Sequence, residues 1–358
     1  MGYKMIAYNS KLWISDIDRV LKVIPELDKM AGKRVLITGA AGLICSSVVD
    51  IIFRYNDTHN EKIHILAAGR WIDEMKERFH HFVEREDFSF VRYDASKTDN
   101  NIAENADYII HGASNASPNM IIKEPVETIL SNLLGIKYLL DYAKNVKSKR
   151  ILYISSSEVY GKKIGNEPYK EDEYGYIDLL NSRNSYSIGK CAAETMCVSY
   201  AEEYDVESVI VRPGHIYGPT ASPNDVRVGS AWAYTVAKGE NLVMKSDGCQ
   251  VRSYVYSLDC ASAMLKVLLS GENCHAYNIS NPDSIITIKE LGELLSIAGG
   301  VKLKMELPTE AEIKGFNPMR NSSLESTSLL KLGWNGCFDA AEGLTHTVEI
   351  LKEINGWG

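Results

Sequence analysis

Tyr186 and Lys190, four residues apart in YSIGK, stand on one face of a helix. A phenol is a poor base near neutral pH, and a nearby cation can lower its pKa enough for it to take a proton from an alcohol. Upstream, SSSEVYG at 155–161 places Ser156, Ser157 and Glu158 just after the apolar run 150–154. Hydroxyls and one carboxylate therefore gather at the end of a strand, where open α/β sheets bind their ligands. Tyr-x-x-x-Lys alone is common on helices that pack an aromatic beside an exposed lysine, so its meaning depends on the elements that precede it.

The most informative of these is KRVLITGAAGLIC, residues 33–45. Val35, Leu36 and Ile37 suit a strand buried on both faces, Gly39 and Gly42 suit a tight turn, and a helix begins near Leu43. The free N–H groups of that helix start, with the positive end of its dipole, accept a phosphate, and the glycines let a pyrophosphate approach the backbone. Ala41, Leu43 and Ile44 complete this dinucleotide contact. The third small position is Cys45, where a glycine would ease packing of helix on strand. A second apolar strand, 62–67, follows after one helix, giving the length of a βαβ unit. A glycine-rich turn, a serine-rich strand end and a Tyr/Lys pair, in that order, suit a nicotinamide-dependent carbonyl/alcohol site.

The remaining strands carry further candidates. After the second strand comes AAGRW, with no carboxylate to bind the adenosine ribose; Arg70 either pairs with a 2′-phosphate, favouring NADP, or is an exposed arginine at a helix start. The third strand, 88–93, ends at Asp94 and Ala95, where the carboxylate either meets the adenine amino group or caps a turn. The fourth, 107–111, runs into GASNASP, whose small residues, Ala113 among them, let a flat ring lie against the backbone. A covering helix is expected over 125–145, a sixth strand over 207–212, and a last helix over 339–353. Past RPGHIYGP the βαβ rhythm becomes irregular. Arg227, Arg252 and Arg320 in that region are either solvated charges or a clamp for a diphosphate.

With 358 residues the chain can bury a large core, and 45% hydrophobic with 24% charged residues describes a soluble globular protein. A formal charge of −8 argues against a nucleic acid as main partner. The seven cysteines lack metal-ligand spacing and read as reduced thiols, with Cys191 and Cys197 in the core, so no metal site is expected. No apolar run reaches transmembrane length and the start lacks a signal-peptide core, which predicts a cytoplasmic protein with no membrane partner. Residues 15–30 space Ile17, Val20, Leu21 and Ile24 as a helix capped by Ser15 or Asp16, broken or kinked at Pro25.

Taken with HGASNASP, NLLGIKYLLDYA, QVRSYVYSLD, NISNP and LLKLGW, these motifs make the chain resemble an extended short-chain dehydrogenase/reductase of the nucleotide-sugar epimerase/dehydratase/decarboxylase family, over roughly residues 32–352. The resemblance implies a Rossmann-type doubly wound parallel α/β sheet with a smaller C-terminal α/β substrate-binding lobe. The division would be an N-terminal helical extension, 1–31, a cofactor domain, 32–215, and mainly the substrate lobe, 216–358, with segments near 253–270 returning to the cofactor domain.

It also implies NAD as cofactor, with NADP possible, a nucleotide sugar as substrate, and a homodimer paired through helices 125–145 and 186–204. Gly39 and Gly42 would meet the pyrophosphate, Asp94 the adenine, and Lys190 the nicotinamide ribose. Tyr186 would be the base and a further cofactor contact, and Ser156 would bind the sugar 4-hydroxyl. Arg252 and Arg320 would bind the nucleotide diphosphate of the substrate, and Ser117, His215 and Arg227 would be further substrate contacts. His215 replaces the usual asparagine of its motif.

Ser-Ser-Glu-Val-Tyr is similar to the Thr-Ser-Glu-Val-Tyr of UDP-glucuronate decarboxylases. The 4,6-dehydratases typically carry Asp-Glu where this chain has Ser157-Glu158, and 4-epimerases usually lack the acid. The expected activity is accordingly decarboxylation, with dehydration of an NDP-glucose next and 4-epimerisation third. Other readings are an NADP-linked reductase of a 4-keto sugar, suggested by Arg70, and a nucleotide-sensing regulator that has lost chemistry.

Overall fold

A computed structural model describes residues 7–306 and 319–357. In chain order its strands are β1 (Arg34–Thr38), β2 (His64–Gly69), β3 (Phe88–Arg92), β4 (Tyr108–His111), β5 (Arg150–Ile154), β6 (Ser208–Pro213), β7 (His215–Tyr217), β8 (Leu242–Met244), β9 (Val251–Tyr256), β10 (Ala276–Ile279), β11 (Ile285–Thr287) and β12 (Leu303–Met305). The helices are α1 (Lys11–Leu21), α2 (Leu43–Thr58), α3 (Ile72–Arg78), α4 (Pro118–Lys123), α5 (Pro125–Val146), α6 (Ser185–Tyr204), α7 (Val228–Ala237), α8 (Ser257–Ser270), α9 (Ile288–Gly299), α10 (Thr327–Lys331) and α11 (Ala340–Asn355).

The central sheet has seven strands in the order β10-β6-β5-β4-β1-β2-β3. Every pairing in it is parallel. Its order reverses between β1 and β4, so the crevice beyond their carboxyl ends is the place where a doubly wound sheet holds its ligand. Val35, Leu36 and Ile37 of β1 have no exposed surface, as a strand covered by helices on both faces requires. β7 pairs in parallel with β9, and β9 antiparallel with β11, in a separate three-stranded sheet; β8 and β12 form a parallel pair. α8 packs against α2, and β10 returns to the central sheet beside β6. Among the described residues no helix is long and apolar enough to cross a membrane.

The N-terminal helix differs from the sequence expectation. It starts at Lys11 rather than Ser15, because Ser10 is the N-cap and accepts a hydrogen bond from the Trp13 N–H. Asp16 is not a cap; it is buried, meets His346 Nδ1 at 3.0 Å and accepts from Tyr256 Oη at 3.0 Å. The helix stops at Leu21 and the chain resumes as a 3₁₀ turn at Pro25–Met30, the break expected of Pro25. Ser10 also donates to Glu353 and Arg19 to Glu342, so α1 is tied to α11 as well as packed on α2 and α8.

Candidate active site

The glycine turn joins β1 to α2. Gly39 has φ +68°, and a Cβ there would lie 2.9 Å from the carbonyl carbon of Gly112, so only glycine lets the turn pass against the loop after β4. Gly42 is the N-cap of α2 and brings no side chain to its first turn. The helix start is left to a ligand, and an uncapped N-terminus beside a tight glycine turn fits the pyrophosphate of NAD. Leu43 is buried while Ala41 and Ile44 are half-buried, and the Leu43 carbonyl accepts from Thr220 Oγ1 at 2.9 Å. Cys45, in place of the third glycine, packs its sulfur against Gly112 and points it at the Thr38 carbonyl. Cys197 is likewise buried; Cys191 is only half-buried, packed beside Val159 and Tyr160.

At the adenosine end, Asp94 Oδ1 accepts from both the backbone N–H and the hydroxyl of Ser96, so it caps a turn while remaining half-buried. The hydrogen bonds from Ser96, aided by the charges of Arg70 and Lys97, hold its carboxyl below the ordinary range despite partial burial. Arg70 is exposed near it. Ala95 is buried, and its Cβ would be 2.9 Å from a Cβ on Gly135 of α5. The Ala113 N–H donates to Thr38 Oγ1 at 3.3 Å, and Thr38 meets His111 Nδ1 at 2.7 Å. Burial and the charge of Lys190 push the His111 imidazole down to about 3, so it is neutral at the sheet edge.

α6 places Tyr186 and Lys190 against the end of β5. Both are buried, and the Lys190 Nζ lies 5.7 Å from the centre of the Tyr186 ring. Lys190 donates to the Ile154 carbonyl at 2.7 Å, and burial pushes its ammonium down to about 7. The phenol contradicts the sequence expectation of a lowered pKa. Burial, then the charge of Glu158, push it up to about 12, against the opposing influence of the Ser156 hydroxyl, Arg227 and Arg183. Buried and bonded to the Ile154 carbonyl, Lys190 does not offset the burial that raises the phenol.

Ser156 begins a 3₁₀ turn, Ser157–Tyr160, and accepts from the Glu158 N–H at 3.1 Å. Glu158 accepts one hydrogen bond from each terminal nitrogen of Arg183, both at 3.2 Å, and one from Ser187 Oγ at 3.1 Å. Ser156, Glu158 and Tyr186 thus converge with Arg227, while Ser157 is half-buried on the same turn. Arg183 and Ser187 were not singled out in the sequence; Arg183 lies three residues before Tyr186, and only that spacing marked it.

On the substrate side, His215 is open to the cleft at the start of β7. Crowding by protein and the charges of Arg252 and Arg227 push its imidazole down to about 4. Arg252 is buried on β9 and donates to the carbonyls of Val251 and Met319. Arg227 is exposed and forked onto Asp225. Arg320 is exposed, anchored by the Val251 N–H on its carbonyl at 2.8 Å. Ser117 is exposed at the N-cap of α4, a helix that touches the 3₁₀ turn at Ser182–Asn184.

Comparison with known proteins gives concordant likenesses. Residues 35–280 match the family model described as the NAD dependent epimerase/dehydratase family. UDP-glucuronic acid decarboxylase 6 of Arabidopsis thaliana is 31% identical over 313 residues, 87% of this chain and 86% of that protein. UDP-glucuronic acid decarboxylase 1 of Xenopus tropicalis is 29% identical over 335 residues, covering 93% and 75%. In fold, the chain is similar to Thermotoga maritima UDP-glucose 4-epimerase with UDP-glucose, at TM-score 0.73, 23% identity and coverage of 89% and 99%. It is also similar to Bacillus anthracis dTDP-glucose 4,6-dehydratase in complex with NAD, at TM-score 0.73, 18% identity and coverage of 91% and 98%.

Proposed function

The chain belongs to the NAD-dependent epimerase/dehydratase family and is a nucleotide-sugar-modifying enzyme, and on that premise we propose that it decarboxylates a UDP-glucuronate-type substrate through a 4-keto intermediate. The observation that carries this reading is the convergence of Tyr186, Ser156 and a Glu158 held by Arg183 and Ser187, with Ser157 in the position where a dehydratase would place its acid.

Gly39, Ala41, Gly42, Leu43 and Ile44 would hold the pyrophosphate of NAD, Asp94 and Ala95 its adenine, and Ala113 the ring. Bound NAD would supply a hydride acceptor for carbon 4 and return the hydride later. Tyr186 would take the proton of the 4-hydroxyl once bound NAD, whose nicotinamide is cationic, offsets the burial that raises the phenol in the free protein, with Ser156 holding that oxygen and Lys190 orienting the ribose beside it. A carboxylate at carbon 6 is then β to the new ketone, so the bond between carbons 5 and 6 can break with its electrons delocalised onto the 4-keto oxygen. Arg252 and Arg320, brought close by the Val251 N–H on the Arg320 carbonyl, would take the diphosphate of the substrate, with His215 and Arg227 close to Arg252. The same Glu158 would also serve as a base at carbon 5, which supports a 4,6-dehydratase as the second reading. A cytoplasmic homodimer belongs to this proposal: α5 and α6 pack along one another, and α5 keeps Val126 and Leu130 exposed for a second copy.

The test is incubation of the purified protein and NAD with UDP-glucuronate and, separately, UDP-glucose and dTDP-glucose, with products read by mass spectrometry. Loss of carbon dioxide from the glucuronate is the expected result. Loss of water from a glucose nucleotide, with the glucuronate untouched, overturns it in favour of the dehydratase.

A further inference from the structure

The ion pairs around the cleft are not alike. Arg212 and Glu194 are buried and meet at 2.6 Å and 3.0 Å, and Arg227 meets Asp225 at 2.5 Å. Arg183 and Glu158 meet only at 3.2 Å through both nitrogens, longer than a tight charge-assisted bond, and both side chains are more than a third exposed. This is a fork that a second anion can share. Ser187 Oγ, on the first turn of α6, holds Glu158 Oε2 independently, so the carboxylate keeps a partner if the guanidinium turns away.

A nucleotide sugar whose carbon 6 is a carboxylate would bring a second negative charge to the Glu158 side of Tyr186. Two carboxylates crowded into a partly desolvated site repel unless a cation lies between them. Lys190 is buried against the Ile154 carbonyl, and Arg227 is held by Asp225. Arg252 is buried on the carbonyls of Val251 and Met319. Among the described residues, Arg183 combines a loose pair, partial exposure and attachment to Glu158.

We propose that Arg183 is the residue that recognises the substrate carboxylate: it forks onto Glu158 in the free protein and is shared with, or transferred to, the carbon 6 carboxylate when the sugar binds. The inference rests on the decarboxylase reading and gives that reading its source of substrate selectivity. A loose pair also suits the chemistry. When the bond between carbons 5 and 6 breaks, its electron pair passes to the 4-keto oxygen as an enolate and carbon dioxide leaves uncharged. Arg183, having lost its anion, returns to Glu158. A tight buried pair would hold the charge on the carboxylate and oppose that step.

Binding to the NAD-loaded protein, measured by calorimetry with UDP-glucuronate and with the uncharged analogue UDP-glucose, separates the roles. Wild type should prefer the glucuronate. Arg183→Gln should weaken the glucuronate by about 10- to 100-fold, the range of a charge-assisted hydrogen bond, and UDP-glucose by less than about three-fold. Arg183→Lys should fall between. Ser187→Ala, which loosens Glu158 without removing the cation, should leave the preference intact. Equal weakening of both ligands in Arg183→Gln, or a preference that survives it, overturns the inference, as does wild type with no preference. Carbon dioxide release is read in parallel, and its absence in a wild type that shows the binding preference overturns the decarboxylase reading and leaves the role of Arg183 in anion recognition standing.

Discussion

The sulfur of Cys45 stands where a side chain on Gly112 would have to go: a Cβ built on Gly112 lies 2.4 Å from Cys45 Sγ and 3.1 Å from Ile154 Cδ1. The family's third glycine has thus been replaced on the helix, and the missing volume is taken from the loop after β4. Gly112→Ala should destabilise the protein by about 1–3 kcal/mol through overpacking. In the double variant with Cys45→Ala the cost should be smaller than the sum of the two single changes, because the clashing atom is gone. Urea denaturation of the four proteins gives the coupling, and simple additivity would show that the two positions do not compete for space.

Lys190 gives a pH signature. Its pKa is about 7 in the folded protein against an ordinary value of 10.5. Between these values the unfolded chain binds a proton that the folded one does not, so this group makes stability rise with pH across that window; below about 7 both states are protonated and the cost of the buried charge is fully present. Lys190→Met removes the titration and also leaves the Ile154 carbonyl without its donor, a cost that does not vary with pH. Comparing urea melts at pH 7 and pH 9, the wild type should gain relative to the variant by about 1–3 kcal/mol. A pH-independent difference would refute the depressed pKa.

Tyr186→Phe and Ser156→Ala should each lower turnover by about 10²- to 10⁴-fold, the range for a lost general base or its partner. Neither residue belongs to the glycine turn, so NAD(H) affinity read by fluorescence should stay within about three-fold of wild type. A comparable loss of cofactor binding would assign these side chains to the cofactor instead.

Much of this fold is legible in the sequence. The parallel sheet followed from the apolar runs and their spacing, because strands buried on both faces leave an unbroken signal that one dipeptide cannot obscure. The convergence of Tyr186 with Ser156 and Glu158 was legible from motif order. What escaped was pairing that depends on approach angle. Arg183 is one charged residue among many in the sequence, and only the 3₁₀ turn at Ser182–Asn184 aims it at Glu158. The direction of the Tyr186 shift was misread because proximity to Lys190 is visible in the sequence and the competing Ile154 carbonyl is not. The start of α1 was misplaced because Ser15 and Ser10 are equally good caps locally, and tertiary contacts of Asp16 with His346 and Tyr256 decide between them.

Cofactor selectivity depends on the end of β2. Gly69 brings no carboxylate, a Cβ there would have to displace the flexible Met75 side chain, whose Sδ lies 2.8 Å away, and the next residue is the exposed Arg70. Without a negative charge against a 2′-phosphate, NAD should be favoured over NADP by no more than about ten-fold, and Arg70→Glu should weaken NADP by a further ten-fold or so while leaving NAD nearly unchanged. Titration of both reduced cofactors by fluorescence measures this. Strong rejection of NADP by the wild type would place the discriminating group elsewhere.

Arg212 and Glu194 connect α6, the helix of Tyr186 and Lys190, to the sheet. Arg212, on β6, is almost wholly buried, and besides its two bonds to Glu194 on α6 it donates to the hydroxyls of Tyr160 and Tyr174 and to the Glu171 carbonyl. Every donor position facing these groups is used, so the guanidinium is satisfied only while Glu194 remains charged. Glu194→Gln should cost about 3–5 kcal/mol, because it leaves a buried cation with no counter-charge. Replacing both by apolar residues of similar size should cost less than that single change, since the isolated charge is removed with its partner. Glu194 also opposes the burial that lowers Lys190, so in Glu194→Gln the lysine should lose its proton at a still lower pH. Denaturation of the single and paired variants tests the first claim, and NMR titration of a ¹⁵N-lysine label, assigned through Lys190→Met, tests the second. A Glu194→Gln protein as stable as wild type would show that the two tyrosines and the carbonyl suffice to hold the arginine.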